Sequence, residues 1–221
     1  MRLVLEGDVF YLPRYALHRP ACHEFLNGRV YEPQTHALVT KLLAERGGNM
    51  IHAGTFFGDM LPSFAHACPG TLYAFEPVLE NYVLAKLCVE ANALGNVALF
   101  NAALGHELGI GHVYTGTTLH HGGASEISDR GQIPTLMPID ALDLSDLTLL
   151  RLDVEGYELP VLKGAERTLR RCCPIILIED YKGTCGGFLG ALGYEKSGEI
   201  PGLELWLDSA KHRDVAVPVH Y

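Results

Sequence analysis

Five short apolar runs, separated by segments of helical period, constrain this chain more than any other feature. Met50–Ala53, Leu72–Phe75, Val97–Phe100, residues 148–154 and Ile175–Ile178 read as strands, the first and fourth of them buried. Residues 37–46 place Leu38, Val39, Leu42 and Leu43 on one helical face and stop at Gly47 and Gly48. A second helix begins near Asp59, with Pro62 tolerable in its first turn. Residues 81–94 put Leu84, Leu87, Cys88 and Ala91 at i, i+3, i+4, i+7, and residues 159–171 form a further helix. After the loop 180–187 come a short helix at 188–192 and two strands, Tyr194–Ile200 and 203–207, joined at Pro201-Gly202 as a closing hairpin. Strands alternating with helices predict an α/β fold: a mostly parallel sheet with helices on both faces.

The pattern breaks between residues 105 and 138, which hold Gly109, Gly111, Gly116, Gly122, Gly123 and Gly131 with His112, His120 and His121. This stretch predicts an excursion of short antiparallel strands near 111–114 and 133–137. Loops of such length inside a domain tend to be functional or disordered. No repeat or linker interrupts the chain. Residues 1–48 read as an N-terminal region packed on a core of 49–221, one domain overall. Arg14, His18, Arg19 and Tyr31 in that region form either a lid over a substrate or an ordinary packed segment.

With 221 residues, 48% of them hydrophobic, the chain can bury a sizeable core. Seventeen Lys and Arg against 26 Asp and Glu give a net charge of −9, which argues against nucleic acid or an anionic membrane as the main partner. No stretch has the roughly 20 apolar residues of a membrane span. Glu6 and Asp8 interrupt the apolar N-terminus, so a signal peptide is not expected. The six cysteines include no CxxC pair, which favours free thiols over metal or disulfide use. A cytoplasmic protein without a metal site is the expectation.

Ligands of open parallel sheets bind beyond the carboxyl ends of the strands. There the first loop, IHAGTFFGDM, has Gly54 to turn the backbone and Gly58 to allow close approach at the next helix. Backbone N–H groups at that helix start attract a carboxylate or phosphate, although a tight βα turn needs the same glycines. Glu76, closing the next strand, stands about 20 residues past the glycine loop, the place of an acid that accepts both hydroxyls of a ribose. A solvated strand-end glutamate is the alternative. Phe56 replaces the second glycine of a dinucleotide fingerprint, so a pyrophosphate is disfavoured. A ribose-bearing ligand with a carboxylate and no pyrophosphate fits better, and S-adenosylmethionine is one. Asp153 ends the strand in RLDVEGYELPVLKGA, which puts its carboxylate over the same crevice, with Glu155 and Glu158 as further acids or as parts of a structural turn.

Together HAGTFFGD (52–59), AFEP (74–77), NAALG (101–105), LDVEGYELPVLKGA (152–165) and PIILIE (174–179) resemble the FkbM-type family of class I S-adenosylmethionine-dependent methyltransferases. The resemblance runs collinearly over about residues 50–179. It implies a Rossmann-like class I methyltransferase fold, a seven-stranded sheet with an antiparallel strand from the C-terminal hairpin. It implies cofactor binding at Gly54, Thr55, Phe57, Gly58 and Asp59, ribose recognition by Glu76 beside Pro77, and adenine contacts near Asn101 and Ala102. Asp153 would lie beside the transferable methyl group. The family usually carries an acid where this chain has His52, an acid that helps hold the cofactor's amino group. A neutral imidazole there could still accept a hydrogen bond, with altered pH dependence, or could be a strand histidine bonded within the fold.

The activity so implied is O-methylation of a hydroxylated small molecule, a sugar or natural-product intermediate, with N-methylation of a small amine as the alternative. An alcohol nucleophile needs its proton accepted. The candidates are Asp153, then His121 or His120 of the excursion, then Glu179. A nicotinamide-dependent oxidoreductase and an inactive nucleotide-binding module share parts of the pattern. A homodimer is compatible with all of these readings.

Overall fold

The structure, a computed structural model, describes residues 1–115, 125–128, 131–212 and 215. It begins with a hairpin of β1 (Arg2–Leu5) and β2 (Asp8–Tyr11), then α1 (Pro20–Leu26) and α2 (Pro33–Arg46). The alternating body follows as β3 (Met50–Ala53), α3 (Leu61–Ala67), β4 (Leu72–Phe75), α4 (Leu79–Ala91) and β5 (Val97–Phe100). The excursion contributes β6 (Ala102–Leu104), β7 (Gly109–Ile110), β8 (His112–Thr115), β9 (Ser125–Ser128) and β10 (Thr135–Met137). Then come β11 (Leu149–Leu152), α5 (Glu158–Lys163), α6 (Glu166–Cys172), β12 (Ile175–Ile178), α7 (Gly186–Ala191), β13 (Tyr194–Ile200) and β14 (Leu203–Asp208).

Seven strands form one sheet in the order β13-β14-β12-β11-β3-β4-β5. β14 runs antiparallel between β12 and β13, while β12, β11, β3, β4 and β5 are parallel neighbours. Successive side chains of a strand point to opposite faces, and each face has its own core. Met50, Leu72, Leu149, Ile175 and Leu177 pack with α2, α3 and Ala85 of α4. Ile51, Phe75, Leu150, Leu152, Ile176 and Ile178 pack with α5, α6 and Leu189 of α7. The expected α/β architecture, with helices on both faces, is therefore the one present. A third cluster ties Phe10, Leu12, Ala21, Cys22 and Phe25 of the N-terminal segment to Phe57 and Cys88. All six cysteines are free thiols, and no described helix is long and apolar enough to cross a membrane.

Several local expectations are corrected. The N-terminal hairpin was not foreseen; its turn has Glu6 and Gly7 both at positive φ, the geometry a two-residue hairpin requires. α4 buries Asn81, Ala85 and Cys88, whereas Leu87 is exposed, because Asn92 beyond its end is hydrogen-bonded to both backbone groups of Val9 and sets the helix rotation. The single helix expected at 159–171 is two, broken at Gly164, where a Cβ would lie 2.0 Å from the Gly105 carbonyl oxygen. β10 is not purely antiparallel: it pairs parallel with β6 and antiparallel with β7.

Candidate functional site

The strand order reverses between β3 and β11, whose following chains leave to opposite sides of the sheet. A cavity of about 220 Å³ opens there, at the carboxyl ends of the strands. Its wall includes Gly54 after β3, Glu76 and Pro77 after β4, Ala102 to Leu104 of β6, Asp153 after β11 and Glu179 after β12.

Gly54 sits at φ +88°, and a Cβ there would stand 2.0 Å from the Asp153 carbonyl oxygen, so β3 and β11 can close up only around glycine. The Gly54 and Thr55 amides both donate to the Phe75 carbonyl at 3.2 Å. Phe56 takes a left-handed φ of 51° and donates its amide to Glu76 at 2.8 Å; the Gly58 amide donates to Thr55. These loop N–H groups, expected to be open to a ligand, are thus used inside the protein. The Phe56 ring lines the cavity under Arg19, whose guanidinium lies 5.3 Å above it. Phe57, Thr55 and Gly58 do not reach the wall: Phe57 packs edge-on against Phe25, Thr55 Oγ1 donates to the His52 carbonyl, and Gly58 fits against Ala85. Asp59 does line it, and burial raises its carboxyl to about 7 against the opposing pull of Arg151.

Glu76 is 4% exposed and forms part of the same wall. Oε2 accepts the Phe56 amide, and Oε1 accepts the Val78 amide at 2.9 Å and the Asn81 side chain at 3.4 Å. Burial raises its carboxyl to about 7, against those donors and Arg19. Asn81 also accepts the Tyr15 hydroxyl, which links the N-terminal segment to this corner. Asn101 lies outside the wall; its amide donates to the Glu76 and Pro77 carbonyls and fixes the turn that aims Glu76.

At the other end stands Arg151, 1% exposed, in the middle of an otherwise apolar strand. It pairs with Asp153 at 3.2 Å and with Glu32 at 3.4 Å, a residue of the N-terminal region. Burial lowers its affinity for a proton, but Asp153, Glu32 and Asp59 more than offset that and hold it raised. His52, directly opposite Arg151 in the register, is behind this group and not part of the wall. Burial, and then Arg151, push its imidazole well below the usual range, so it is neutral. Its Nδ1 lies 3.4 Å from Arg151, and its ring packs on Phe64. With no acid at position 52, the charge balance of Arg151 falls to Glu32 and Asp153.

Asp153 and Glu179 leave adjacent parallel strands side by side, and both stand in the cavity wall. Burial, and then the neighbouring Asp153 carboxyl, raise Glu179 to about 9. Arg19, Tyr31 and Glu32 close the wall from the N-terminal side, whereas Arg14 and His18 are exposed and take no part. Glu32, Phe56 and Glu155, three non-glycine wall residues, hold left-handed φ, the strain expected to collect at binding sites. The excursion brings Val113 to the wall; His120 and His121 lie outside the described residues. Among the described residues no three His, Cys, Asp or Glu side chains are grouped to hold a metal ion. Sequence reasoning gave no role to Arg151, Glu32 or Phe56. The signal for the first was on the page, since an arginine inside a buried strand must find charge partners.

The family described as "Methyltransferase FkbM domain" matches residues 52–200. Among solved structures, the methyltransferase FkbM from Methylobacillus flagellatus KT is similar at a TM-score of 0.54 and 16% identity, covering 80% of this chain and 50% of that one. This chain thus spans about half the length of that relative. The precorrin-6y C5,15-methyltransferase from Geobacter metallireducens GS-15 is similar at a TM-score of 0.52 and 12% identity, covering 89% of this chain and 93% of that one. No curated protein sequence matches. The fold is that of class I methyltransferases, and with the match extending over most of the sheet and every strand end that lines the cavity, the chain belongs to the FkbM methyltransferase domain family.

Proposed function

We propose that the protein is an S-adenosylmethionine-dependent methyltransferase acting on the hydroxyl of a small molecule. The observation that carries this reading is the convergence of Gly54, Glu76 and Asp153, from three strand ends, on one cavity at the reversal of strand order. The residues suit the cofactor. Glu76 is a buried wall carboxylate that bonds three protein donors and keeps acceptor capacity on Oε2 for a ligand. Pro77, Ala102 and Leu104 offer an apolar surface beside it for an adenine ring.

When bound, S-adenosylmethionine supplies an electrophilic methyl group on a sulfonium. Glu76 accepts hydrogen bonds from the ribose hydroxyls, with Asn101 and Asn81 holding its aim. Arg151, between Glu32 and Asp153, fixes the Asp153 carboxylate. Asp153 takes the proton that the acceptor hydroxyl releases as its oxygen becomes an ether. Most of the acceleration comes from holding acceptor and donor in line within a site closed by the N-terminal wall. His121 lies outside the described residues, and Asp153 alone is given the proton.

Calorimetric titration with S-adenosylmethionine, S-adenosylhomocysteine and NAD tests the cofactor. Micromolar binding of the two adenosyl ligands, with none of NAD, is the expected result, and a screen of hydroxylated against amine acceptors then separates O- from N-methylation. Glu76→Ala should weaken adenosyl binding about ten-fold or more through lost ribose hydrogen bonds. Unchanged affinity in the folded variant would remove the ribose assignment.

A further inference from the structure

Asp153 and Glu179 follow directly after Leu152 and Ile178, which are register partners on adjacent parallel strands. Neighbouring strands lie about 5 Å apart, so the two carboxyls are forced together. Both line the cavity. Two carboxyls sharing one partly buried site disfavour a second negative charge, so one of them holds its proton unless a cation compensates it. The second charge is not compensated: Arg151 bonds Asp153 and Glu32, and no Lys or Arg among the described residues pairs with Glu179. The groups that face the pair are Arg151 from β11, Glu155 from the turn after it, Glu32 and Tyr31 from before α2, and Asp59 from the loop after β3. Arg151 is the one cation of that set, and the acids around it favour a protonated neighbour.

We propose that Glu179 works as a neutral carboxylic acid, donating a hydrogen bond to Asp153 and so positioning that carboxylate for the acceptor hydroxyl. Asp153 is then held from two sides, by Arg151 on Oδ2 and by the Glu179 proton, and keeps its remaining acceptor capacity for the acceptor. Glu179 is a positioning residue: the proton it carries stays on it, and the proton released by the acceptor goes to Asp153. The raised proton affinity of Glu179 agrees with this geometry.

The role in catalysis rests on the methyltransferase reading; the protonation of Glu179 does not. The test therefore begins with the intact, ligand-free protein and the infrared C=O stretch of protonated carboxyl groups. A band present at pH 7.5, absent from Glu179→Gln and lost on titration through about 9 is expected. Asp153→Asn, which leaves Glu179 in place but removes its anionic neighbour, should move that loss to lower pH. A spectrum in which Glu179→Gln removes no such band overturns the proposal, whatever the protein methylates. In turnover, Glu179→Ala should lower kcat about ten- to hundred-fold through loss of a charge-assisted hydrogen bond, with little change in KM, and Glu179→Gln, which keeps a donor, should recover most of that loss. Equal loss in both variants would show that an ionised Glu179 is required, and no loss in either that it is a spectator; both overturn the proposal. A protein that carries the band but transfers no methyl group would retain the neutral acid and refute the function instead.

Discussion

Glu76 spends part of its acceptor capacity on the protein, and this sets how a ligand can use the rest. Burial holds its carboxyl at about 7, so in the free protein it is half protonated near neutrality. Only the ionised form keeps the full acceptor capacity that a ribose hydroxyl needs beside the three protein donors, so affinity for an adenosyl ligand should rise as pH increases through about 7 and level off above it. Calorimetry from pH 6 to 8.5 checks this. Glu76→Gln should be weaker and should lose most of the slope, whereas a slope kept in that variant would assign it to Asp59, which titrates in the same range. His52 contributes nothing there, because its imidazole stays neutral throughout. Gly54, Glu76 and Asp153 were legible because the length of an apolar run and the residue that breaks it locate the end of a parallel strand. The exchange of Phe56 for Phe57 in the wall was not legible. It follows from a left-handed φ at a non-glycine residue, which no periodicity encodes.

At the scale of elements, β3, β4 and β12 run over the residues their sequences predict, since central parallel strands are buried on both faces and read as unbroken apolar runs; β5, a half-buried edge strand, keeps its predicted bounds too. Helices fared less well because tertiary contacts decide their limits and rotation. α2 starts at Pro33, four residues before the predicted start at 37, because proline suits the first helical turn. The rotation of α4 depends on the N-terminal hairpin, whose Glu6-Gly7 turn between RLVL and DVFY was a usable signal. The division of α5 from α6 depends on a carbonyl sixty residues away in sequence. Gly164 has an ordinary φ, so Gly164→Ala would be harmless in an isolated helix. Here its Cβ meets the Gly105 oxygen at 2.0 Å, and backbone must shift. A loss of about 1–3 kcal/mol, read from the urea midpoint, is expected. A neutral or stabilising effect would show that the two segments can separate freely.

For the molecule as a whole, the N-terminal region is bound to the sheet through Arg151 and to the β3–α3 loop and α4 through its apolar cluster. Arg151→Met would leave Glu32 and Asp153 facing each other in a largely buried site without their cation. Such a break typically costs about 3–5 kcal/mol, and chemical denaturation should show it. Restoring part of the loss with Glu32→Gln in the same chain would identify the uncompensated charge as the cause, while additive losses would point to packing. The alternation of elements made the doubly wound sheet legible before any coordinates. The partnership of Glu32 with Arg151 was not, since nothing local in either segment specifies the other.

Strand order also governs when the cavity comes into being. β3 stands inside the sheet with β4 on one side and β11 on the other, and β11 lies about a hundred residues further along the chain. At ribosomal speeds of about 5–20 residues per second, β3 waits roughly 5–20 s with one apolar edge open before its second neighbour emerges. The long-range pairing that closes this edge is also the slow kind, paid for in loop entropy before any contact repays it. A nascent chain therefore carries Gly54 and Glu76 well before Asp153 and Glu179 exist, and possesses half a site with nothing to grip. Adenosyl affinity, once measured, will double as an assay for a finished chain.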